Sequence, residues 1–245
     1  MQCLCGTTLV GPSTGWHASP MANSPTPPAP LGELYRASRE RISAMVINAD
    51  PNCAVPATPL WDVHDVVAHL AGVVEDAVMG NMDGVTTEPW TAAQVERGRG
   101  RSVMELLEIW SAGAALVETV LSAGARENDD PAVLERFTRA VLDVFTHEAD
   151  LAHALNGRAQ IPADGLSWAS AVLQKGFHSC VADLGLGAVA VDASDWEWFR
   201  GRLGRRTAAE VKALGWSDDP EPYLTAWFVF GRAIEPLGEQ PAQMT

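Results

Sequence analysis

The chain has 245 residues, 47% of them apolar, enough to bury a sizeable core as one large domain or as a bundle with a smaller appendage. Its formal net charge is −14, from 31 acidic and 17 basic residues; such a surface repels phosphate backbones and excludes nucleic acid as a partner. No segment approaches the roughly 20 uninterrupted apolar residues of a spanning helix, and the first 35 residues hold neither Lys nor Arg, so no secretory signal is read. The expectation is a cytoplasmic protein with no membrane partner, a monomer or homodimer.

Residues 1–30 are rich in Pro, Ser, Thr and Gly without periodicity and read as a disordered leader, with Met21 as a second candidate start. The spacing of Leu34, Ala37, Ile42, Met45 and Val46 predicts a helix over about 31–48. Asp62 is a candidate N-cap for a second helix over 63–79, with Val66, Val67, Leu70, Val73 and Val74 as its apolar stripe. The connection 80–101 holds Gly80, Gly84 and Pro89 and is placed at the mouth of a site. Ser102 and Glu105 form a capping box that opens a third helix, carrying Leu106, Leu107, Ile109, Trp110, Leu116, Val117 and Val120. Pro131 suits the first turn of a fourth helix running to about Leu155, where Asn156-Gly157 stops it.

These helices predict a mainly α protein: an antiparallel four-helix bundle over 31–158. Residues 159–245 read as a small α or α+β appendage packed on the bundle. It begins with a helix near 165–184 and continues through a short strand at Ala188–Val191 into Trp- and Gly-rich sequence with short helices. The four Cys (Cys3, Cys5, Cys53, Cys180) are too few for a disulfide framework, and the Cys3–Cys5 pair lacks the second pair a zinc site needs.

Three residues carry candidate chemistry. Asp143 and His147 stand at i and i+4, one turn apart on one helical face, and His69 lies midway along another helix. Two imidazoles and a carboxylate can hold one divalent ion with coordination positions open. The plainer reading is a local ion pair and a hydrogen-bonded core histidine. Asp65 and Asp150 stand where each could accept the free N–H of a ligating imidazole, although Asp65 in the first turn also suits the helix dipole. His64, His153, His178 and His17 read as structural or solvated.

The segment Trp61-Asp-Val-His-Asp-Val-Val-Ala-His69-Leu-Ala-Gly72 resembles the W-x-V-x-D-x-x-x-H-L-x-G motif of the mycothiol-dependent maleylpyruvate isomerase family, a branch of the DinB-like metalloprotein superfamily. Asp143-Val-Phe-Thr-His147-Glu-Ala-Asp150-Leu resembles its second motif, E-x-x-x-H-x-x-D-L, and Gly157-Arg158 continues the match. The resemblance covers about 31–158 and implies a DinB-like bundle with His69, Asp143 and His147 as metal ligands, zinc first. One position departs: Asp143 stands where the family usually has Glu, one methylene longer.

The resemblance also implies a thiol cofactor, mycothiol or a similar low-molecular-weight thiol. The reaction would be S-transfer or cis–trans isomerisation of a small substrate such as maleylpyruvate. A non-enzymatic metal- or ligand-binding protein and a metal-assisted hydrolase remain as alternatives. The C-terminal run Gly201-Arg-Leu-Gly-Arg-Arg-Thr, with Leu214-Gly-Trp-Ser, resembles the tails of actinobacterial members. There Arg202, Arg205 and Arg206 are candidates for binding the cofactor's carboxylate or a substrate acid; a solvated basic loop is the plainer reading. Trp61, Trp196, Trp198 and Trp227 read as packing residues.

Overall fold

The computed structural model describes residues 25–124 and 131–243. The expected leader falls outside the described residues up to position 24, as do Met21, His17, Cys3 and Cys5. Residues 25–30 are described and are tied down: Trp168 Nε1 donates to the Pro25 carbonyl at 3.2 Å, and Ala29 packs on the core.

The protein is mainly helical. The bundle is formed by α1 (Leu31–Val46), α2 (Val63–Met79), α4 (Val103–Ala123) and α5 (Pro131–Ala154), with a further helix α3 (Glu88–Gly98) inside the long second connection. The local signals act as sequence chemistry dictates. Asp62 accepts the Asp65 N–H at the start of α2, and α2 ends at left-handed Gly80, φ 73°. Ser102 and Glu105 satisfy each other's backbone N–H groups at the start of α4. After α5, Asn156 turns left-handed at φ 58° and the Gly157 N–H closes on the Ala152 carbonyl at 2.7 Å.

α1 packs on α4 and α5, and α2 packs on the same two helices, so α1 and α2 lie across the bundle's diagonal. The α2–α5 seam is the loosest of these four contacts. α4 is long and apolar enough, by length and composition, to cross a membrane. Here Leu106, Leu107, Trp110, Ala114 and Leu121 are buried in the core, while Leu116 and Val120, expected in the apolar stripe, face outward. Trp110 Nε1 donates to the Tyr35 hydroxyl at 2.9 Å inside that core.

α3 differs from the sequence expectation, which left 80–101 as a connection. Only Gln94, Val95 and Gly98 of this helix are buried, so no apolar stripe announces it. It packs on α2 and walls one side of the α2–α5 opening.

Beyond the bundle come α6 (Ala163–Asp183), strand β1 (Val191–Asp192), α7 (Asp195–Arg202), α8 (Ala208–Lys212), strand β2 (Gly215–Trp216), a 3-10 turn at Glu221–Tyr223 and α9 (Leu224–Trp227). The strands pair antiparallel, Val191 opposite Trp216. The main core continues into this part through Leu166, Trp168, Leu173, Trp196, Phe199 and Leu203. A second core gathers Phe177, Trp198, Tyr223 and Trp227, with the Trp198 and Trp227 rings stacked at 4.5 Å. The tail returns to the bundle, where the Gln243 N–H donates to the Ala159 carbonyl at 2.9 Å.

Buried Glu148 ties these pieces together. It accepts from Ser38 at 2.7 Å, from Arg41 through both oxygens at 2.8 Å, and from the Gln160 N–H at 3.0 Å. The start of α1 is seated as tightly on α4: a Cβ at Gly32 would lie 2.0 Å from the Glu118 carbonyl oxygen and 2.2 Å from Ser122 Oγ. Gly32→Ala should therefore destabilise the fold by about 1–3 kcal/mol, a drop of roughly 2–12 °C in thermal melting followed by circular dichroism. An unchanged melting temperature would mean that α1 does not rest on α4 in this way.

Candidate metal centre

The three sequence-predicted donors converge. His69 on α2 and His147 on α5 are buried, and Asp143 lies between them. His69 Nε2 is 3.6 Å from Asp143 Oδ2, and His147 Nε2 is 3.6 Å from Asp143 Oδ1. Ligand atoms from all three lie within 4.8 Å of one another. Bonds of about 2.0–2.1 Å at tetrahedral angles place ligand atoms about 3.3 Å apart, close to the 3.6 Å that separates each imidazole from Asp143. The short Asp143 side chain reaches by dividing its oxygens, one toward each imidazole. Burial would raise its carboxyl, but His69, His147 and Arg205 hold it below the usual range.

Each imidazole is also held from behind. His69 Nδ1 is 2.8 Å from Gln94 Oε1. His147 Nδ1 is 3.2 Å from Asp150 Oδ2, a close contact out of line for a straight hydrogen bond. Of the two carboxylates considered for this role, Asp150 faces its histidine and Asp65 does not. Asp65 stays at the α2 cap, where His64 Nδ1 is 3.9 Å away and His64 Nε2 bonds the Arg101 carbonyl at 2.7 Å. Asp62, His64 and Asp65 also lie close enough together for an ion, but Asp62 is engaged as the N-cap.

The donors form the floor of a cavity of about 900 Å³ that opens through the loose α2–α5 seam. Its walls are mostly apolar: Trp61, Val73, Met82, Val85, Trp90, Ala93, Val95, Leu142, Leu203 and Phe230 all contribute. Arg99, Arg136, Arg139 and Arg205 supply positive charge along the same walls. Sequence reasoning missed Trp61 as a site residue. Its ring centroid is 5.3 Å from that of His69 and 6.1 Å from that of His147, so it roofs both imidazoles. Its place as the first residue of the W-x-V motif was the available signal. Gln94 carried no signal, because the helix that bears it had none.

The three tail arginines separate. Arg205 lines the cavity and donates to Asp150 Oδ2 at 2.6 Å. Arg202 is buried against the second core, donating to the Ala226 and Trp227 carbonyls. Arg206 is buried between Glu197 and Glu239. Neither Arg202 nor Arg206 lines the cavity. A fourth, Arg200, is fully buried and joins Asp150 at 2.6 Å to Glu239 at 2.9 Å. Cys53 and Cys180 are free thiols.

Residues 31–152 match the family described as the mycothiol maleylpyruvate isomerase N-terminal domain. The chain belongs to this family. It is thus a mycothiol-related, DinB-like helical protein. No curated protein and no solved structure gives a significant match. The match contains α1 to α4 and most of α5, hence all three donors of this mycothiol maleylpyruvate isomerase family member, and stops before Arg200 and Arg205.

Burial alone would raise the Asp150 carboxyl; Arg205 and Arg200 overcome it and hold it well below the usual carboxylate range. Asp150→Asn should leave two guanidinium groups underpaired and cost about 3–5 kcal/mol in urea unfolding at neutral pH. The wild-type carboxylate stabilises fully above its unfolded value near 3.9, and that contribution fades as pH falls toward the lower folded value. The gap between wild type and variant should therefore shrink in acid; a gap independent of pH would assign the loss to packing instead.

Proposed function

We infer that this protein is a divalent-metal-dependent enzyme that uses a low-molecular-weight thiol for S-transfer or cis–trans isomerisation of a small electrophilic substrate. The observation that carries this reading is the convergence of His69, Asp143 and His147 on the floor of a cavity of about 900 Å³ in a mycothiol-related family member. Both Nε2 atoms and the carboxylate face one point, and the cavity leaves the other side of that point open. A site closed by four protein ligands would serve structure; three ligands and an open side suit catalysis.

His69, Asp143 and His147 would hold the ion, zinc first by the donor set of two imidazoles and a carboxylate. Bound there, it would act as a Lewis acid that favours loss of a thiol proton at neutral pH. The chain's own residues supply the rest. Asp143 offsets positive charge on the floor. Trp61 and the apolar walls exclude water and flank the reacting carbon. Arg205, held by Asp150 but open to the cavity, can pair with a substrate carboxylate such as that of maleylpyruvate, and Arg136 and Arg139 lie further along the α5 wall. Arg202 and Arg206, enclosed by their own partners, act by anchoring the tail.

Purified protein should carry about one divalent ion per chain by elemental analysis, and His147→Ala should lose it while keeping its helical spectrum. Calorimetric titration with mycothiol should show binding that chelation abolishes. Thiol binding that is indifferent to chelation would remove the metal from the function, and metal without thiol binding would favour the hydrolase or the plain metal-binding alternative.

Asp143 gives a sharper comparison. Asp143→Glu should keep or tighten zinc affinity, because its side chain, 34% exposed, has room to lengthen toward the cavity. Asp143→Asn should weaken affinity through loss of the charge that attracts a dication. Equal affinities in all three proteins would exclude Asp143 from the site.

A further inference from the structure

The long second connection does more than wall the cavity. A chain of hydrogen bonds runs from His69 outward through α3 and back to α2. His69 Nδ1 faces Gln94 Oε1 at 2.8 Å, and Gln94 Nε2 donates to Asp76 Oδ2 at 2.8 Å. The other Asp76 oxygen accepts from Asn81 Nδ2 at 2.9 Å and from Arg97 at 2.8 Å. Asp76, Gln94 and His69 are all buried.

The order of donors in this chain is forced. A carboxylate only accepts, so the Gln94 atom facing Asp76 must be the NH2 group. The Gln94 oxygen then faces His69, and the ring nitrogen it meets must carry a proton. Burial would raise the Asp76 carboxyl, but the bonds from Gln94, Asn81 and Arg97 outweigh it and hold Asp76 ionised. A neutral imidazole has one N–H, so a proton on Nδ1 leaves a lone pair on Nε2.

The packing supports the same geometry. A Cβ at Gly72 would lie 2.6 Å from Gln94 Cβ and 2.8 Å from its Cγ, and one at Gly98 would lie 2.3 Å from Ala68 Cβ. Only glycine at these two positions lets α2 and α3 approach closely enough for Gln94 to reach His69. This gives the last residue of the W-x-V-x-D-x-x-x-H-L-x-G motif a physical reason.

We propose that Gln94, aimed by Asp76, is a positioning residue that locks His69 in its Nδ1–H tautomer and so keeps the Nε2 lone pair for a divalent cation held between it and Asp143. The part concerning the cation rests on the function proposed above; the tautomer lock does not. The general expectation is that such outer partners change metal affinity by about 10–100-fold.

The test uses the full-length chain, labelled with 15N-histidine and freed of metal by chelation, at a pH where imidazoles are neutral. Two-bond proton–nitrogen correlation spectra, with His69 assigned by its loss in His69→Gln, report which ring nitrogen is protonated. Wild type should show His69 protonated on Nδ1. Asp76→Asn should invert it: the new amide offers its NH2 toward position 94, the Gln94 amide turns over, and its own NH2 then faces His69 Nδ1. The double variant Asp76→Asn, Gln94→Glu should restore the Nδ1–H form, because a carboxylate at position 94 accepts from both neighbours. Zinc(II) affinity should fall by at least about tenfold in Asp76→Asn and recover in the double variant.

A residue that merely supports the fold would not produce inversion and rescue. If Asp76→Asn does not fold, Gln94→Met removes the acceptor alone and should leave His69 mixed between tautomers. An Nε2–H tautomer in wild type, or an unchanged Nδ1–H tautomer in folded Asp76→Asn or Gln94→Met, overturns the proposal. Tautomers that invert and recover in proteins that bind no zinc would uphold the lock and overturn the metal reading.

Discussion

The buried carboxylate of Asp150 fixes how the C-terminal part sits on the helix that carries the site. Asp150 is inaccessible to solvent and lies on α5, three residues after His147. A charge there is tolerable only if it is paired and hydrogen-bonded on all sides. Arg200 and Arg205 come from the end of α7 and the loop after it to do this, and Arg200, fully buried, in turn requires a second anion. Glu239 supplies it from the returning tail and also meets Arg206. Two segments distant in sequence, residues 200–206 and the tail at Glu239, are thereby fixed to the helix that carries Asp143 and His147.

The looseness of the α2–α5 seam is the complement of that rigidity. Where the helices stand apart they cannot fill the space with aliphatic side chains, and polar groups occupy its floor. Each imidazole has a neighbour away from the opening: Gln94 is hydrogen-bonded behind His69, Asp150 lies 3.2 Å behind His147, and both rings stand beside Asp143. A polar floor backed by such partners and open to a cavity keeps its shape while leaving the side toward the opening able to take a ligand.

Much of this was legible in the sequence because the signals were local. The N-cap at Asp62, the Ser102–Glu105 box and Asn156-Gly157 each act within one turn, and helix bounds followed within a few residues. The i, i+4 spacing of Asp143 and His147 placed them together in the same way. What escaped depends on contact between distant elements. α3 has a narrow buried face made of Gln94, Val95 and Gly98, which no hydrophobic period reveals. Leu116 and Val120 obey the helical period yet face outward, because α4 meets α1 and α2 on a face turned away from them. The clustered arginines from Arg200 to Arg206 looked like one basic patch, but the counter-charges that divide them include Asp150 and Glu239, which come from elsewhere in the chain, beside Glu197 on α7 itself.

The two faces of α3 serve different ends. Its inner face is pinned by Gly72, Gly98 and the bond to His69, whereas Trp90, Ala93 and Glu96 belong to the cavity wall. Substitutions on the wall side can reshape the space above the floor without entering the core or replacing a donor. The inner side allows almost no change, since even one methyl group meets the neighbouring helix. This short helix is therefore where the shape of the cavity can change independently of the cluster on its floor.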